Sequence, residues 1–492
     1  MAGVRRHPED RVSAVPTDRR VPGITRRTLL GTGTAVAALS VLGTGAARAA
    51  TGAAAGATGA ADAASATGPG TAAWDSARAR AYAFLDAAMD GYPGHGTTRL
   101  AQSYADQAGL FSTAFTYDNA LAVLAHLAHP GPASRARAVA LGDALLYAQA
   151  HDPQYDDGRL RQAYNVGPYV FYDGSPQPDG FVHADGTVNV GTQFGFTGTA
   201  VGDMAWAGIA LAALAERTGA RRFLAGAVRI GTWVETNART DQPLGGYRFG
   251  VDGANNKLPY SGTEHNIDLV GLFGRLARLT GDGVWLRRRA RAAAFVGRMW
   301  ESSGGFFYTG TNDGVTINTS PIPEDTQTWS HLALRDRRHA GSLDWAAAHL
   351  KVVDTAGRPN STVPSGQSYE GVTFSSASLM ANEDAPIAPS QPRPDRNGVW
   401  FEGTAHLALA LRERHAPGDA RRADRLIASI ERAQDNLGQG QTVGGTALPA
   451  RSGVVSASSP LDTGFGFGYY PYRHLGATAW YLLAAARLNP LR

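Results

Sequence analysis

The sequence predicts an all-α protein built as a ring of six helical hairpins, and three observations carry this prediction. Twelve segments have apolar residues at three- and four-residue spacing, which is the period of an α-helix. Successive segments alternate between apolar and charged composition, and the connections between them alternate between short and long. This double alternation indicates an inner ring of buried helices and an outer ring of half-exposed helices.

The twelve predicted helices account for much of the chain after residue 73. Gly, Pro and polar segments separate them and set their approximate bounds. They lie at residues 74–89, 118–128, 134–150, 199–217, 220–237, 263–279, 282–301, 325–336, 342–353, 401–414, 418–437 and 473–488.

The composition of these segments separates them into two kinds. The even-numbered segments are apolar on nearly all sides and rich in Ala and Gly, as in DNALAVLAHLA at residues 118–128. The odd-numbered segments carry arginine-rich polar faces, as in WLRRRARAAAFVGRMW at residues 285–300. We therefore expect the even-numbered helices to form the inner ring and the odd-numbered helices to form the outer ring.

The connections predict which end of the ring carries function. Each even-to-odd connection is a short turn with Gly or Pro, whereas the odd-to-even connections are long, at roughly 150–197, 238–262, 302–324, 354–400 and 438–472. Antiparallel hairpins place all the long loops at one end, where every inner helix begins. Because long loops inside a compact domain are usually functional, we expect the site at that end.

The first 49 residues have the pattern of a twin-arginine export signal. Arg26-Arg27 precedes an uncharged apolar stretch at residues 29–43, and Ala47-Arg48-Ala49 offers a small-x-small cleavage site. At about 15 residues, the stretch is too short to span the ~30 Å core of a bilayer. We therefore expect the protein to be secreted after folding and to lose residues 1–49.

The remaining composition narrows the class of protein further. Residues 50–73 are almost entirely Ala, Gly, Thr and Ser and are predicted to be a disordered linker, which leaves residues 74–492 as one catalytic domain. The signal carries a net charge of +5 and the whole chain +4, so the rest carries −1. We therefore expect no nucleic-acid partner and no membrane association after cleavage. The absence of cysteine excludes disulfides and thiolate metal sites.

Acidic residues recur at the starts of the predicted inner helices. Five of the six starts place a carboxylate within about one turn, and the predicted catalytic residues among them are Glu264, Asp118, Glu402 and Asp325. Hydrolysis of a glycosidic bond needs one carboxylic acid to protonate the leaving oxygen and a second carboxylate to activate water or attack the sugar. A ring that brings these helix starts together would supply such a pair.

The same helix starts supply side chains suited to sugar binding. Aromatic rings stack on the C–H faces of sugars, while Asn and His bind hydroxyl groups. The predicted substrate-binding residues are Tyr117, Asn119, Trp206, His265, Asn266, Trp329, Trp400 and Tyr470. We expect neither a metal site nor a cofactor, because His265 has no HxH or HxxxH partner.

The position of these acids at helix starts constrains their roles. A helix N-terminus favours the ionised carboxylate, which suits a base and opposes an acid. Glu264, with Asp268 one turn further along, is the predicted general acid because a neighbouring carboxylate would help it to keep its proton. Asp118 and Glu402 compete for the role of base, and Asp325 is a further candidate. Each acid could instead simply cap its helix.

Several helix-start phrases resemble those of secreted bacterial proteins of the six-hairpin glycosidase superfamily. The resemblance covers about residues 74–490 and rests on helix count, ring alternation and the phrases FTYDNALAVLAHLA, SGTEHNID, DTQTW, WFEGTAHLALA and GATAWYLLAA. It implies an (α/α)6 toroid and hydrolysis with inversion by two acids at the wide end of the barrel. The same toroid also hosts polysaccharide lyases and phosphorylases, so the resemblance alone does not decide the reaction.

The sequence thus favours a monomeric, secreted glycoside hydrolase acting on a poly- or oligosaccharide. A polysaccharide lyase on the same toroid and a non-catalytic carbohydrate-binding protein are the alternatives. Carboxylates dominate the helix starts, and the chain has only Lys257 and Lys351, although Arg159, Arg161 and Arg248 could bind uronates. A binding protein would have no use for several convergent acids.

Overall fold

The computed structural model of the protein describes residues 76–93 and 96–492. The predicted export signal at residues 1–49 and the predicted linker at residues 50–73 lie outside the described residues and stay predictions. Within the described part of the chain, no helix is both long enough and apolar enough to cross a membrane.

The described residues contain twelve α-helices, close to the predicted bounds. The outer helices are α1 Ser76–Asp90, α3 Pro132–Ala150, α5 Arg221–Asn237, α7 Val284–Arg298, α9 Gly341–His349 and α11 Asp419–Asn436. The inner helices are α2 Thr116–Ala128, α4 Val201–Thr218, α6 Thr263–Thr280, α8 Asp325–Leu334, α10 Phe401–Arg414 and α12 Leu475–Ala486.

The inner helices form a closed ring. Helix α2 packs against α4, α4 against α6, α6 against α8, α8 against α10, α10 against α12, and α12 against α2. The outer helices lie against this ring; for example, α5 contacts both α4 and α6, and α11 contacts both α10 and α12. The predicted (α/α)6 toroid is confirmed.

Close packing explains why the inner helices are rich in small residues. Gly208 in α4 faces α6, and a Cβ atom at this position would lie only 2.7 Å from Leu272 Cδ1. A larger residue there would force the two helices apart, because protein interiors have no free space for an added methyl group. The inner helix α4 is accordingly buried from Val201 to Leu214.

The long loops carry short antiparallel strands. These are β1 Thr113–Phe115, β2 Ala163–Asn165, β3 Tyr169–Val170, β4 Pro176–Gln177, β5 Thr199–Ala200, β6 Gly250–Val251, β7 Ser261–Gly262, β8 Trp300–Glu301, β9 Phe306–Phe307, β10 Gly310–Thr311, β11 Ile317–Asn318, β12 Lys351–Thr355, β13 Ser368–Val372, β14 Thr442–Val443, β15 Thr446–Ala447, β16 Val454–Val455, β17 Leu461–Asp462, β18 Gly468–Tyr469 and β19 Arg473–His474. The pairs are β1–β2, β3–β4, β5–β6, β8–β9, β12–β13, β14–β15, β16–β19 and β17–β18, and one sheet has the order β11–β10–β7.

Two predicted outer helices are too long at their C-terminal ends. The seventh, predicted over residues 282–301, ends at Arg298 because Trp300–Glu301 pairs with Phe306–Phe307 as a strand. The ninth, predicted to reach residue 353, ends at His349 because Lys351–Thr355 pairs with Ser368–Val372. In both cases, a strand pairing overrides a helical pattern of apolar residues.

A repeated backbone contact fixes the start of every inner helix. The residue one or two positions before each inner helix forms a β-bridge with the long loop of the next hairpin, and α12 bridges back to the first loop. The six bridges are Phe115↔Ala163, Ala200↔Gly250, Gly262↔Gly310, Pro323↔Ser375, Trp400↔Ala457 and His474↔Tyr104. The bridge residues define equivalent positions in the six hairpins.

A repeated side-chain contact reinforces these starts. Four residues after each bridge residue, a side chain accepts a hydrogen bond from a backbone N–H of the preceding long loop. Asn119 accepts from Ala101 N, Met204 Sδ from Leu160 N, Asn266 from Tyr247 N, Gln327 from Phe307 N, Thr404 from Val372 N and Thr478 from Val454 N. These six pinning residues hold the loops in register with the ring, and this register positions the candidate site.

Candidate active site

The side chains two residues after the bridge positions form one layer around the ring axis. In ring order these residues are Tyr117, Gly202, Glu264, Asp325, Glu402 and Gly476. Helices α6, α8 and α10 therefore contribute one carboxylate each, on one half of the layer. The other half has Tyr117 between two glycines. We call these six residues the acid layer.

A second layer, in which three tryptophans meet, closes the ring about one helical turn below the acid layer. The residues four positions further along are Leu121, Trp206, Asp268, Trp329, His406 and Trp480. The three indole rings meet near the axis, with centroid separations of 5.1 Å for Trp206–Trp329, 5.6 Å for Trp206–Trp480 and 5.7 Å for Trp329–Trp480. Four residues of α-helix correspond to about 6 Å, so this plug forms the floor beneath the acid layer.

Glu402 lies at the centre of the strongest hydrogen-bond network in the layer. Its Oε1 accepts a 2.6 Å hydrogen bond from Tyr117, whose hydroxyl in turn accepts from Trp480 Nε1 at 2.8 Å. Its Oε2 has no hydrogen-bond partner among the described residues. Burial raises the pKa of Glu402 to about 7, assisted by the negative charge of Asp118 and opposed by His474 and Tyr117. Glu402 therefore combines a held oxygen with an unpartnered one and keeps a proton near neutral pH.

His474 lies between Asp118 and Glu402. Its Nδ1 accepts from Ala477 N at 3.2 Å and is 3.6 Å from Glu402 Oε2, while its Nε2 lies 3.1 Å from Asp118 Oδ1. The neutral ring therefore carries its proton on Nε2 and donates to Asp118. Burial opposes protonation of His474, but the charges of Asp118 and Glu402 outweigh this effect and raise its pKa. No pattern in the sequence singles out His474 as a site residue.

Gly476 makes room for these three side chains. A Cβ atom at this position would lie 2.7 Å from Asp118 Oδ1, 2.8 Å from His474 Cε1 and 3.0 Å from Glu402 Oε2. Gly202 has the same role on the other side of Tyr117, because a Cβ there would lie 2.6 Å from His265 Cδ2. Both positions therefore need glycine, because neighbouring side chains occupy the space that a Cβ atom would take.

The other two acids of the layer differ in their surroundings. Asp325 is 1% exposed, and burial raises its pKa to about 7, although the backbone N–H of Thr326 donates to its Oδ1 at 2.6 Å. Glu264 is 5% exposed, which is more than Asp325 or Glu402. Neither acts as a helix N-cap through its side chain, and neither does Asp118.

Three further carboxyl groups lie around the acid layer. Burial raises the pKa of Asp203, Asp268 and Glu324 well above the usual range, and in each case a neighbouring acid adds to the effect. The surroundings of all three groups therefore favour the protonated form. Glu324 had no role in the sequence analysis, although it directly precedes Asp325 in the chain.

Two predicted substrate-binding residues have a different role. The Asn119 amide donates to Ala101 O and Phe115 O and accepts from Ala101 N, while Asn266 donates to Tyr247 O and Gly262 O and accepts from Tyr247 N. Both side chains are fully buried. With their polar atoms occupied by the backbone, Asn119 and Asn266 hold loops in place and do not face the acid layer.

The other predicted aromatic residues lie outside the acid layer, in three different surroundings. Trp206 and Trp329 are buried in the plug below the acids, rather than on an open wall. Trp400 is also buried and packs against Phe374 and Tyr469. Tyr470 lines a small crevice with Tyr104, Tyr469 and Tyr472.

Aromatic rings from the long loops cover the layer from above. The rings of Tyr104 and His474 are stacked, with their centroids 4.1 Å apart and their planes 12° apart. The ring centroids of Phe249 and His265 lie 4.0 Å apart. His265 is 2% exposed, and burial lowers its pKa to about 3, so it is neutral. Within the described part of the chain, no group of three or more His, Asp or Glu residues is arranged to hold a metal ion.

This arrangement can perform proton transfer in a water-poor environment. It combines a protonated carboxyl group in Glu402 with ionisable partners on facing helices, and its carboxyl groups are at most 5% exposed. Such a set of groups suits general acid–base chemistry, because the pKa of the acid lies near the operating pH.

Comparison with known proteins identifies relatives of the fold only. No protein-family model matches the chain, and no curated protein matches it in sequence. Solved structures do match. A D-mannose isomerase has a TM-score of 0.53 at 12% identity, and the match covers 86% of this chain and 99% of that chain. The cellobiose 2-epimerase from Spirochaeta thermophila DSM 6192 has a TM-score of 0.53 at 14% identity, covering 82% of this chain and 92% of that chain.

A glycosidase, solved as a single-residue variant, has a TM-score of 0.50 at 14% identity, covering 85% of this chain and 98% of that chain. At such low identity, these likenesses show a shared fold. The protein therefore shares the (α/α)6 toroid fold with these structures, as the sequence predicts.

Proposed function

We propose that the protein is a carbohydrate-active enzyme, and specifically a glycoside hydrolase that uses Glu402 as its general acid. The observation that carries the proposal is the environment of Glu402: one oxygen held by Tyr117, the other without a hydrogen bond from the described residues, and a pKa of about 7. A glycosidase acid must hold a proton at working pH and release it to the leaving oxygen. Glycosidases, epimerases and isomerases of sugars share the fold.

This assignment differs from the sequence-based choice of Glu264 as the acid. The reason is that burial, assisted by the negative charges of Asp118 and Asp325, gives a specific physical cause for the raised pKa of Glu402. The base must lie far enough away to admit a water molecule, and inverting enzymes separate the two carboxyl groups by roughly 6.5–9.5 Å. Asp118 Oδ1 and Glu402 Oε2 both lie within 3.0 Å of one point, the Cβ position of Gly476, so this pair is too close.

Glu264 is our candidate for the base. It lies two inner helices away from Glu402 in the acid layer and is the more exposed of the two. Asp325, between them in ring order, is the remaining alternative. Asp118 then acts through His474, by holding the imidazole beside Glu402.

The proposal is tested by incubating the protein with neutral and uronate-containing polysaccharides. New reducing ends without absorbance from a 4,5-unsaturated uronate would support hydrolysis. That absorbance would indicate a lyase and contradict the proposal. Binding without any product would indicate a carbohydrate-binding protein. Secretion through the twin-arginine route and a monomeric state are further parts of the proposal that rest on the sequence.

A second candidate function is epimerisation or isomerisation of a sugar. The observation that favours it is His474, an imidazole in direct contact with a carboxylate beside the acid layer. Moving a hydrogen next to a sugar carbonyl needs a group that removes a proton from carbon and returns it. Incubating free aldoses in D2O separates the two functions, because an epimerase or isomerase would introduce deuterium next to the carbonyl and a hydrolase would not.

A further inference from the structure

Glu324 and His406 form a buried pair on the far side of Glu402 from His474. The Nδ1 atom of His406 lies 3.2 Å from Glu324 Oε2, and its Nε2 atom lies 3.8 Å from Glu402 Oε1. Both side chains are fully buried. Neither His406 Nε2 nor Glu324 Oε1 has a hydrogen-bond partner among the described residues. The imidazole thus lies between two carboxyl groups, with one ring nitrogen facing each of them.

The ring of His406 is held in one orientation. Its centroid lies 4.3 Å from Trp480, 5.0 Å from Trp329 and 5.3 Å from Trp400, and all three contacts are edge-to-face. A rotated ring plane would clash with these rings, because side chains in a packed core have little freedom to move. A ring flipped by 180° would fit the same space but would turn Cδ2 towards Glu324, so the contact of Nδ1 with Glu324 Oε2 determines that Nε2 faces Glu402.

The remaining question is which nitrogen carries the proton. Burial lowers the pKa of His406 well below its usual value, so the ring is neutral and has a single N–H. Glu324 is fully buried and its Oε1 has no hydrogen-bond partner among the described residues, which disfavours an ionised carboxylate, and burial and the charge of Asp325 raise its pKa in the same direction. A protonated Glu324 donates from Oε2 to Nδ1, which leaves the ring proton on Nε2, facing Glu402.

We propose that Glu324 and His406 are positioning residues for Glu402, with Glu324 fixing the tautomer of His406 that directs an N–H at Glu402 Oε1. The hydroxyl of Tyr117 holds Oε1 by a hydrogen bond and this imidazole directs its N–H at the same oxygen from 3.8 Å, so that Oε2 is the oxygen left for the reacting group. The tautomer itself does not depend on the proposed function. Its kinetic consequence rests on the proposed role of Glu402.

Nuclear magnetic resonance of protein with ¹⁵N-labelled histidine tests the tautomer directly. We expect His406 to be neutral with its proton on Nε2, both in the wild type and in Glu324→Gln, because the Gln amide still donates to Nδ1. Glu324→Leu removes the donor and should lose this preference. His126, which is buried with no hydrogen-bond partner at either nitrogen, serves as the internal control. A proton on Nδ1, or a charged ring, in the wild type would overturn the proposal even if Glu324→Leu does not fold.

Kinetics test the consequence for Glu402. An N–H directed at a carboxylate lowers its pKa, so Glu324→Leu should move the alkaline limb of the pH profile upward by about 0.5–1 pH unit. Glu324→Gln should leave the limb in place. Equal losses of kcat in both variants without a shifted limb would mean that Glu324 only supports the fold, and would contradict the proposal. If the wild type cleaves no glycan, the proposed function fails while the tautomer experiment still decides this inference.

Discussion

The hydroxyl of Tyr117 donates a 2.6 Å hydrogen bond to Glu402 Oε1, although the two residues are 285 positions apart in the chain. Helices α2 and α10 do not neighbour each other in the ring, because α12 lies between them. Gly476 of α12 has no side chain that would separate the two residues. A glycine in the helix between them thus lets two residues of the acid layer meet.

Replacement of Tyr117 by Phe should change the titration of Glu402. The hydrogen bond favours the ionised carboxylate, so its loss should raise the pKa of Glu402 and move the alkaline limb of activity to higher pH. We expect a stability loss of about 1 kcal/mol, since Trp480 Nε1 loses its acceptor. Tyr82→Phe is the control because it removes a buried hydrogen bond to Ala125 O. An equal pH shift in both variants would contradict the explanation.

Replacement of Gly476 by Ala should impair the site more than the fold. The added Cβ would lie within 3.0 Å of Asp118, His474 and Glu402, so at least one of these side chains must move. Misplacement of a catalytic group by about 1 Å can cost on the order of 10²-fold in rate, which is the loss we expect in kcat. Gly297→Ala, on the open face of α7, should retain full activity. Unchanged turnover in Gly476→Ala would show that the three side chains need not be so close.

Replacement of Asn266 by Ala should destabilise the protein. Three hydrogen bonds are lost, and the backbone N–H and carbonyl groups of Tyr247 remain buried without these partners. We expect a loss of about 2–4 kcal/mol in the free energy of unfolding, measured by chemical denaturation. Asn436→Ala removes one exposed hydrogen bond and should cost less than about 1 kcal/mol. Similar losses in the two variants would argue against the pinning role.

A pH-dependent stability should arise from Asp395. Asp354 accepts hydrogen bonds from Ser361, Ser458 and Ser459, which join the loop before α10 to the loop before α12. Burial and the charge of Asp354 raise the pKa of Asp395 to about 6. No described group donates a hydrogen bond to Asp395 Oδ2. A protonated Asp395 therefore supports this junction.

The sign of the effect follows from this raised pKa. The stabilisation is present at pH values below the ordinary pKa of an aspartic acid and is lost as pH rises to about 6. Asp395→Asn keeps a neutral side chain and should remove about 1 kcal/mol of the pH dependence of unfolding, allowing for solvent screening. The exposed Asp156→Asn is the control. A pH dependence unchanged in Asp395→Asn would exclude this explanation.

Much of the fold could be predicted because local periodicity determines the helices. The inner helices are apolar on all sides, and their bounds were found to within two or three residues at most ends. The ends of α7 and α9 could not be found, because Trp300–Glu301 and Lys351–Thr355 pair with later segments of the chain. Such pairings depend on tertiary structure and leave little trace in a local pattern.

The candidate site was only partly predictable for the same reason. Acids at helix starts pointed to Glu264, Asp325 and Glu402, which occupy equivalent positions in three consecutive inner helices. His474 was missed because its partner Asp118 is 356 residues away. Asn119 was predicted to bind substrate, but a polar residue at a helix start can equally well bind the backbone of a neighbouring loop, as this side chain does.

The most direct test of the central claim compares two substrates with the Glu402→Gln variant. One substrate is the glycan that the wild type cleaves, whose leaving oxygen needs a proton, and the other is the glycosyl fluoride of the same sugar, whose leaving group does not. If Glu402 is the general acid, the variant should lose about 10²–10⁴-fold on the glycan and retain most of its activity on the fluoride. Equal losses on both substrates, or no loss on the glycan, would contradict the assignment.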